Sequence, residues 1–482
     1  MTPEEELRQL RQENKMLREI IQQQQELLDQ LQKQVASQAD QVKVLQNRLT
    51  KDSHNSSLPP SSDRFVRQPK SLRKKSEKKS GGQDGHPGSS LQWSASPDEV
   101  VCQQVEQCQA CHHDLHTVAA CHVECRQVVD VPAPHVVVRE YRAEQKQCPH
   151  CGTITAAAFP KEVAAPIQYG PTIGATAVYL VHQQLLPLAR ASEVMADLLG
   201  IRMSEGTICE LIQRCAAHLT WVEQQIKVAL IQAEVIHQDE TGLYVAGKRY
   251  WEHVTCTPTL THYHVDPSRG QPALEAIGIL PQFKGISIHD GWGSYFLYEC
   301  EHAACLVHIL RDLLFLSEEH GEIWANALKC LLLDMKEATE QAREQGKLWL
   351  DPLEVIDWED QFLKLLDLGD QLHPHALAPP GTRGRCKQSA ARNLLDRLRK
   401  HQKAMLCFLK DLRVSFDNNL AERDLRMIKV QQKVSGCFRS LAGAQAFSRI
   451  RGYLSTLRKQ GLPLLSALQA TLCGHPVLPS FQ

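Results

Sequence analysis

Four patterns of polar and apolar positions follow one another along the chain, and each predicts a different kind of element. From Leu7 to about Leu49 apolar residues return every seventh position. One series reads Leu7, Asn14, Ile21, Leu28, Val35, Val42, Leu49; its partner reads Leu10, Leu17, Gln24, Leu31, Gln38, Leu45. Such a narrow seam is buried only against another helix, so residues 1–50 predict a coiled coil and a homo-oligomer. Asn14 at a seam position favours a parallel, in-register pair, while Gln24 and Gln38 weaken the second series. Periodicity then stops. SHNSSLPPSSD and RFVRQPKSLRKKSEKKSGGQDGHPGSS are rich in Pro, Gly, Ser and Lys and predict a linker over 51–98. Residues 172–219 show helical spacing. In RASEVMADLLGIRMSEGTICELIQ one amphipathic helix ends near Gly200 and Ser204 caps the next. A short Gly-containing turn between two helices is the helix-turn-helix pattern, although any helical hairpin shares it.

From Ala233 the period changes to two. AEVIHQDE, TGLYVAGK, RYWEHVTCT and THYHVD read as a meander, with Gly247-Lys248 and Thr257-Pro258 as turns. QPALEAIGIL is helix-like, and FKGISIHDG is a further strand. This β-β-β-α-β order is what a ribonuclease-H-like core requires, with the first and fourth strands as neighbours. Asp239 and Asp290 are each expected at the tip of a strand, where carboxylates from separate elements can meet. From His302 to about residue 412 the pattern is helical, including the basic run RGRCKQSAARNLLDRLRKHQK. Glu422 then opens a helix in AERDLRMIKVQQK, with Arg426 one turn on and Lys429 two turns on, all on one face. Asn418 and Asn419 precede it as caps or DNA contacts. Three carboxylates brought together can hold a pair of divalent ions for phosphodiester chemistry. The plainer reading of Glu422 is a surface residue paired with Arg426.

Cysteine and charge add two features. Cys108-x-x-Cys111 and Cys148-x-x-Cys151 form two knuckles suited to one structural Zn²⁺. HVECRQVVDVPAPHVVVREYRAEQ between them reads as a hairpin turned at Val131–Pro134, which would return the chain to its start. Cys102, Cys121 and Cys125 compete for the ligand set. Cys108–His112 also spells the c-type haem pattern, but the second knuckle and the lack of an export signal argue against haem. Seventeen cysteines and a charged N-terminus, MTPEEELRQLRQENK, point to reduced thiols in the cytoplasm. No apolar run approaches a membrane span. The net charge of −1 hides local excess: residues 64–79 carry eight Lys or Arg against Glu77 alone. Lys74, Lys75, Lys78 and Lys79 in that run suit DNA phosphates, as a solvated tether would also allow.

The expected fold is therefore α+β and multidomain. It comprises a coiled coil (1–50), linker (51–98), zinc-ribbon-like module (99–165) and helix-turn-helix-like region (166–230). A ribonuclease-H-like α/β core (231–312) follows, then a helical insertion (313–411), core helices carrying Glu422 (412–465) and a tail (466–482).

NSSLPPSSD, GQDGHPG, the paired knuckles, HQDETG, HDGWGSY, CLVHILRDL and FDNNLAERDLR…KVSGCFRS…YLSTLRKQG together resemble the DDE transposases of the insertion sequence 66 family, over nearly the whole chain. The resemblance implies Asp239, Asp290 and Glu422 as the catalytic triad and Mg²⁺ (or Mn²⁺) as working metal. It implies the terminal inverted repeats of the encoding element as substrate, cut first and then joined to target DNA through the freed 3′-OH. Small accessory proteins from the same element are implied partners. In that setting Arg426, Lys429 and Arg439 would contact DNA. Cys305, His308 and Arg311 share a helix face expected beneath the active site, with a metal reading of Cys305 and His308 as the alternative. Two rival functions fit the residues: a non-catalytic zinc-binding, coiled-coil regulator of DNA, and a nuclease of the same fold that cuts without strand transfer.

Overall fold

The computed structural model describes residues 3–50, 91–131, 134–160, 162–377 and 386–481. The heptad segment is one helix, α1 (Pro3–Thr50). Its described seam residues Leu17, Ile21, Leu28, Leu31, Val35, Val42 and Leu45 are all exposed, so the single chain offers them no partner. The basic run with Lys74, Lys75, Lys78 and Lys79 lies outside the described residues.

The cysteine-rich region holds two similar turns. Strands β1 (Gln145–Gln147) and β2 (Ile154–Ala156) pair antiparallel around the second knuckle. A single bridge, Gln107 to Asp114, brackets the first. In each turn the N–H four residues on bonds back to the first cysteine carbonyl, His112 to Cys108 and Gly152 to Cys148, both at 2.9 Å. That residue has positive φ in both (57° and 73°), which suits glycine and strains the histidine. The expected hairpin between the knuckles is not formed: the described residues of 115–144 contain no strand, and Val128, Val129, Val131, Val136, Val137 and Val138 are exposed. β-Branched residues favour a strand only where another strand or a core receives them.

Four helices follow: α2 (Pro171–His182), α3 (Leu188–Leu199), α4 (Glu205–His218) and α5 (Thr220–Gln232). As the pattern predicts, α3 ends on left-handed Gly200, and the Ser204 hydroxyl accepts the Thr207 N–H to start α4.

The sheet contains β3 (Val235–Val245), β4 (Lys248–Cys256), β5 (Thr261–Asp266), β6 (Ile286–His289) and β7 (Glu301–Ala304), in the order β5-β4-β3-β6-β7. The first three pair antiparallel; β3–β6 and β6–β7 are parallel. Helix α6 (Gln271–Ile277) makes the crossover from β5. Two expectations need correction. HQDE and TGLYV form one continuous strand, because Ala246 and Gly247, both at positive φ, provide the first real turn. The start of the stretch read as helical is strand β7, too short to show a period.

Beyond β7 come α7 (Leu306–His320), α8 (Ile323–Glu344), α9 (Pro352–Leu372), α10 (Ala390–Lys400), α11 (Gln402–Met405) and α12 (Cys407–Lys410). Their core is continuous with Ile286, Ile288, Ala303 and Ala304 of β6 and β7, so the insertion is keyed onto the sheet. Three of its described arginines are paired internally: Arg392 on Asp370 and Asp396, Arg397 on Asp312, Arg399 on Asp367 and Asp370. The chain closes with α13 (Asn419–Ser435), α14 (Leu441–Lys459) and α15 (Leu464–Leu472). Leu454, Leu457, Leu468 and Leu472 share one core with α2–α5, so the stretch read as a tail is partly structural. Among the described residues no helix is long and apolar enough to cross a membrane.

Glu252 on β4 is fully buried, and neither carboxylate oxygen has a hydrogen-bond partner. The nearby Ser448 hydroxyl donates instead to Ala444 O at 3.0 Å. Burial pushes this carboxyl up to about 8. The folded chain therefore keeps a proton that the unfolded chain releases above the ordinary carboxylate range. Stability should fall as pH rises from there through about 8, with a slope of up to about 1.4 kcal/mol per unit. Glu252→Gln should flatten that slope in urea melts; an identical slope in both proteins would show that Glu252 does not titrate this way.

Candidate active site

β3 and β6 pair from Val235–Ile286 to His237–Ile288, and the same offset carried forward sets Asp239 beside Asp290. Asp290 is the first residue past β6, at a strand tip as expected. Asp239 instead lies mid-strand, at the point where β3 outruns β6 and continues only against β4. The Asp239 Oδ1 accepts the Glu240 N–H at 2.8 Å, and the Asp290 Oδ1 accepts the Trp292 N–H at 2.8 Å. Burial, followed by the charges of Glu240, Asp290 and Glu422, holds the Asp239 carboxyl well above the usual range.

Glu422 sits in the first turn of α13, where the helix dipole favours a negative charge. Ala421, Leu425 and Ile428 of that helix pack on Leu243, Val245 and Val254, laying α13 across the β3–β4 ribbon. Its start is pinned by Asn418. The Asn418 Oδ1 meets His237 Nδ1 at 3.0 Å, its Nδ2 donates to Gln238 O at 2.8 Å, and its N–H donates to Cys305 Sγ at 3.3 Å. Asn418 is thus not a side-chain cap; it is buried and committed to β3 one residue before Asp239. Asn419 is exposed, with its amide on Asp417 Oδ2 at 2.6 Å.

Among the described residues, one group of three His, Cys, Asp or Glu brings ligating atoms within 4.8 Å of one another: Cys305, His308 and Glu422. The helix face read from sequence therefore meets Glu422. Cys305 is buried, which pushes its thiol up to about 12, and the His308 Nδ1 is buried without a partner. The four knuckle cysteines form no such group among the described residues.

Arg426, Lys429 and Arg439 are exposed. Lys429 Nζ donates to Gly242 O at 2.8 Å, and Arg439 lies near Cys209 on α4. Sequence reasoning missed Glu240, Arg269 and Tyr295. Glu240 is buried, pairs with Arg269 Nε at 2.7 Å and accepts the Tyr295 hydroxyl. Arg269 also reaches Asp290 at 3.9 Å. The acidic pair Asp239-Glu240 was the available signal, because adjacent strand residues face opposite sides.

A family model described as "Transposase IS66 family" matches residues 166–446. A second, "Family of unknown function (DUF6444)", matches residues 2–92. No curated protein matches the chain.

Proposed function

The chain belongs to the IS66 family of transposases, and on that premise we propose that Asp239, Asp290 and Glu422 cut and rejoin DNA at transposon ends. Family membership assigns the chain to DNA transposition and makes DNA its partner. The observation that carries the finer reading is the β3–β6 register, which sets two acids side by side under the helix that bears the third. The order of the mixed sheet, three antiparallel strands followed by two parallel ones, supports a ribonuclease-H-like core.

The chemistry of the donor set suits a hard divalent cation, although among the described residues the oxygens of all three carboxylates do not come within 4.8 Å of one another. Three carboxylates offer oxygen ligands, and Asp239 is pushed up by burial and then by its acidic neighbours, a repulsion that a cation relieves. Asp239, Asp290 and Glu422 would hold Mg²⁺ or Mn²⁺, which supplies an activated attacking oxygen and a stabilised leaving oxygen. Asn418 fixes the start of α13 against β3, and Glu422 in the first turn of that helix lies beside Cys305 and His308, its charge felt at Asp239. Arg426 and Lys429, on the same helix, would hold the phosphate backbone on either side of the break, with Arg439 and Asn419 further out. The helix pair α3–α4 and Lys74, Lys75, Lys78 and Lys79 of the linker would add contacts to the same DNA. Cys108, Cys111, Cys148 and Cys151 would bind a structural Zn²⁺, for which the matching hydrogen bonds of the two turns are the support. Self-association through α1 would cover its exposed seam.

The test is a cleavage-and-joining assay on labelled DNA carrying the repeats that flank the gene, with Mg²⁺ and any accessory proteins of the element. Wild type should give end-specific cuts and joined product, both lost in Asp290→Asn. Binding without cutting would favour a regulator, and cutting without joining a nuclease.

A further inference from the structure

A ladder of alternating cations and aromatic rings leads to the carboxylates. Arg249 lies over Trp251 at 4.5 Å from the ring centre, Arg269 lies over the same ring at 5.0 Å, and Arg269 lies over Trp292 at 4.0 Å. The inner end is fixed to the site: the Trp292 N–H donates to Asp290, and Arg269 reaches Asp290 at 3.9 Å while bound to Glu240. The outer end is open. Arg249 and Lys429 both converge on Gly242: the position of its missing Cβ is 3.4 Å from the guanidinium, and its carbonyl accepts the ammonium.

Two features distinguish this ladder from ordinary packing. A structural arginine needs one carboxylate, and Arg269 has Glu240 for that purpose. Arg249 has no carboxylate partner among the described residues, nor has Lys429 beside it, so two neighbouring cations lack an anion. Trp292, a large flat ring directly beside Asp290, leaves 40% of its surface exposed. Cations spaced between aromatic faces are the pattern that holds single-stranded nucleic acid, phosphates on the cations and bases on the rings.

We propose that the ladder is a binding track for an unpaired DNA strand entering the carboxylate site, with a nucleobase stacked on Trp292 and phosphates on Arg249 and Lys429. It takes its setting from the proposed cutting of DNA, which leaves a strand end at the carboxylates. Stacking itself needs no cutting, so the two readings can fail separately.

The test uses the full chain without added divalent ion and a dT strand of about 16 nucleotides, the upper range for a single-strand binding module, carrying one central 2-aminopurine. Wild type should quench the 2-aminopurine. Trp292→Ala should lose the quench and bind about tenfold more weakly, while Trp292→Phe should keep most of both. Since Trp292 is exposed and its hydrogen bond to Asp290 is made by the backbone, both variants should melt as wild type does. Quenching that survives Trp292→Ala overturns the proposal, whatever the cleavage assay shows. Loss of cutting with quenching intact leaves it standing.

Discussion

Asp239→Asn should bring DNA strand cleavage down to background and at the same time make the protein more stable without metal. The two effects share one cause. Asp239 is pressed by burial and by Glu240, Asp290 and Glu422, so its negative charge opposes folding while providing a cation ligand. Asparagine keeps the shape and an oxygen for the Glu240 N–H, but removes the charge. A carboxyl held high in the folded state loses its stabilising share as pH rises through that range. The melting-temperature gain of the variant should therefore widen as pH rises above the ordinary carboxylate range. Added Mg²⁺ should raise the melting temperature of wild type more than that of the variant. Cleavage that persists would remove Asp239 from the site. Cleavage lost without any gain in stability would mean that the acids do not repel one another as the structure implies.

Gly285→Val should have the largest effect on folding. A Cβ at this position would lie 2.3 Å from Glu234 O and 2.9 Å from Ala233 O, both backbone atoms that cannot rotate away. The Ile286 N–H bonds to that same Glu234 carbonyl at 2.9 Å, so the clash falls where β6 joins β3. Strand separation there would also break the register that places Asp290 beside Asp239. We expect a loss of about 3 kcal/mol or more, read as a lower urea midpoint or as insoluble protein. Gly170→Ala, where nothing lies within 4 Å, should stay within about 0.5 kcal/mol of wild type and serves as the control. A normal midpoint for Gly285→Val would show that β6 can shift without cost.

Much of this architecture could be read from local pattern. Ser204 and Gly200 mark helix ends through their own side-chain and backbone chemistry, and Asp290 closes a β-branched run whose burial is visible in its composition. What escaped depends on partners distant in sequence. Asp239 was expected at a strand tip because the apolar run stops there, yet β3 continues, since its second half needs only β4 as neighbour. Asn418, a polar residue in a polar stretch, gives no sign that it closes on Gln238, 180 residues earlier. The valines at 128–138 show the opposite error: a strand pattern with nothing among the described residues to receive it. Arg269 follows an ordinary turn, and only the folded sheet brings Glu240, Asp290 and two tryptophans around it.

The shared core of α2–α5 with α14 and α15 bears on how the protein is synthesised and cleared. Helices α2–α5 leave the ribosome early but cannot bury Ile208, Leu211 or Leu219 until the last helices arrive. A chain stopped inside the insertion would lack Glu422 and would also leave that apolar surface bare. Such a product should be removed by proteases rather than persist as an inert competitor for the same DNA. Premature stop codons in the second half of the gene should therefore behave as simple nulls, with no inhibition of an intact copy made in the same cell.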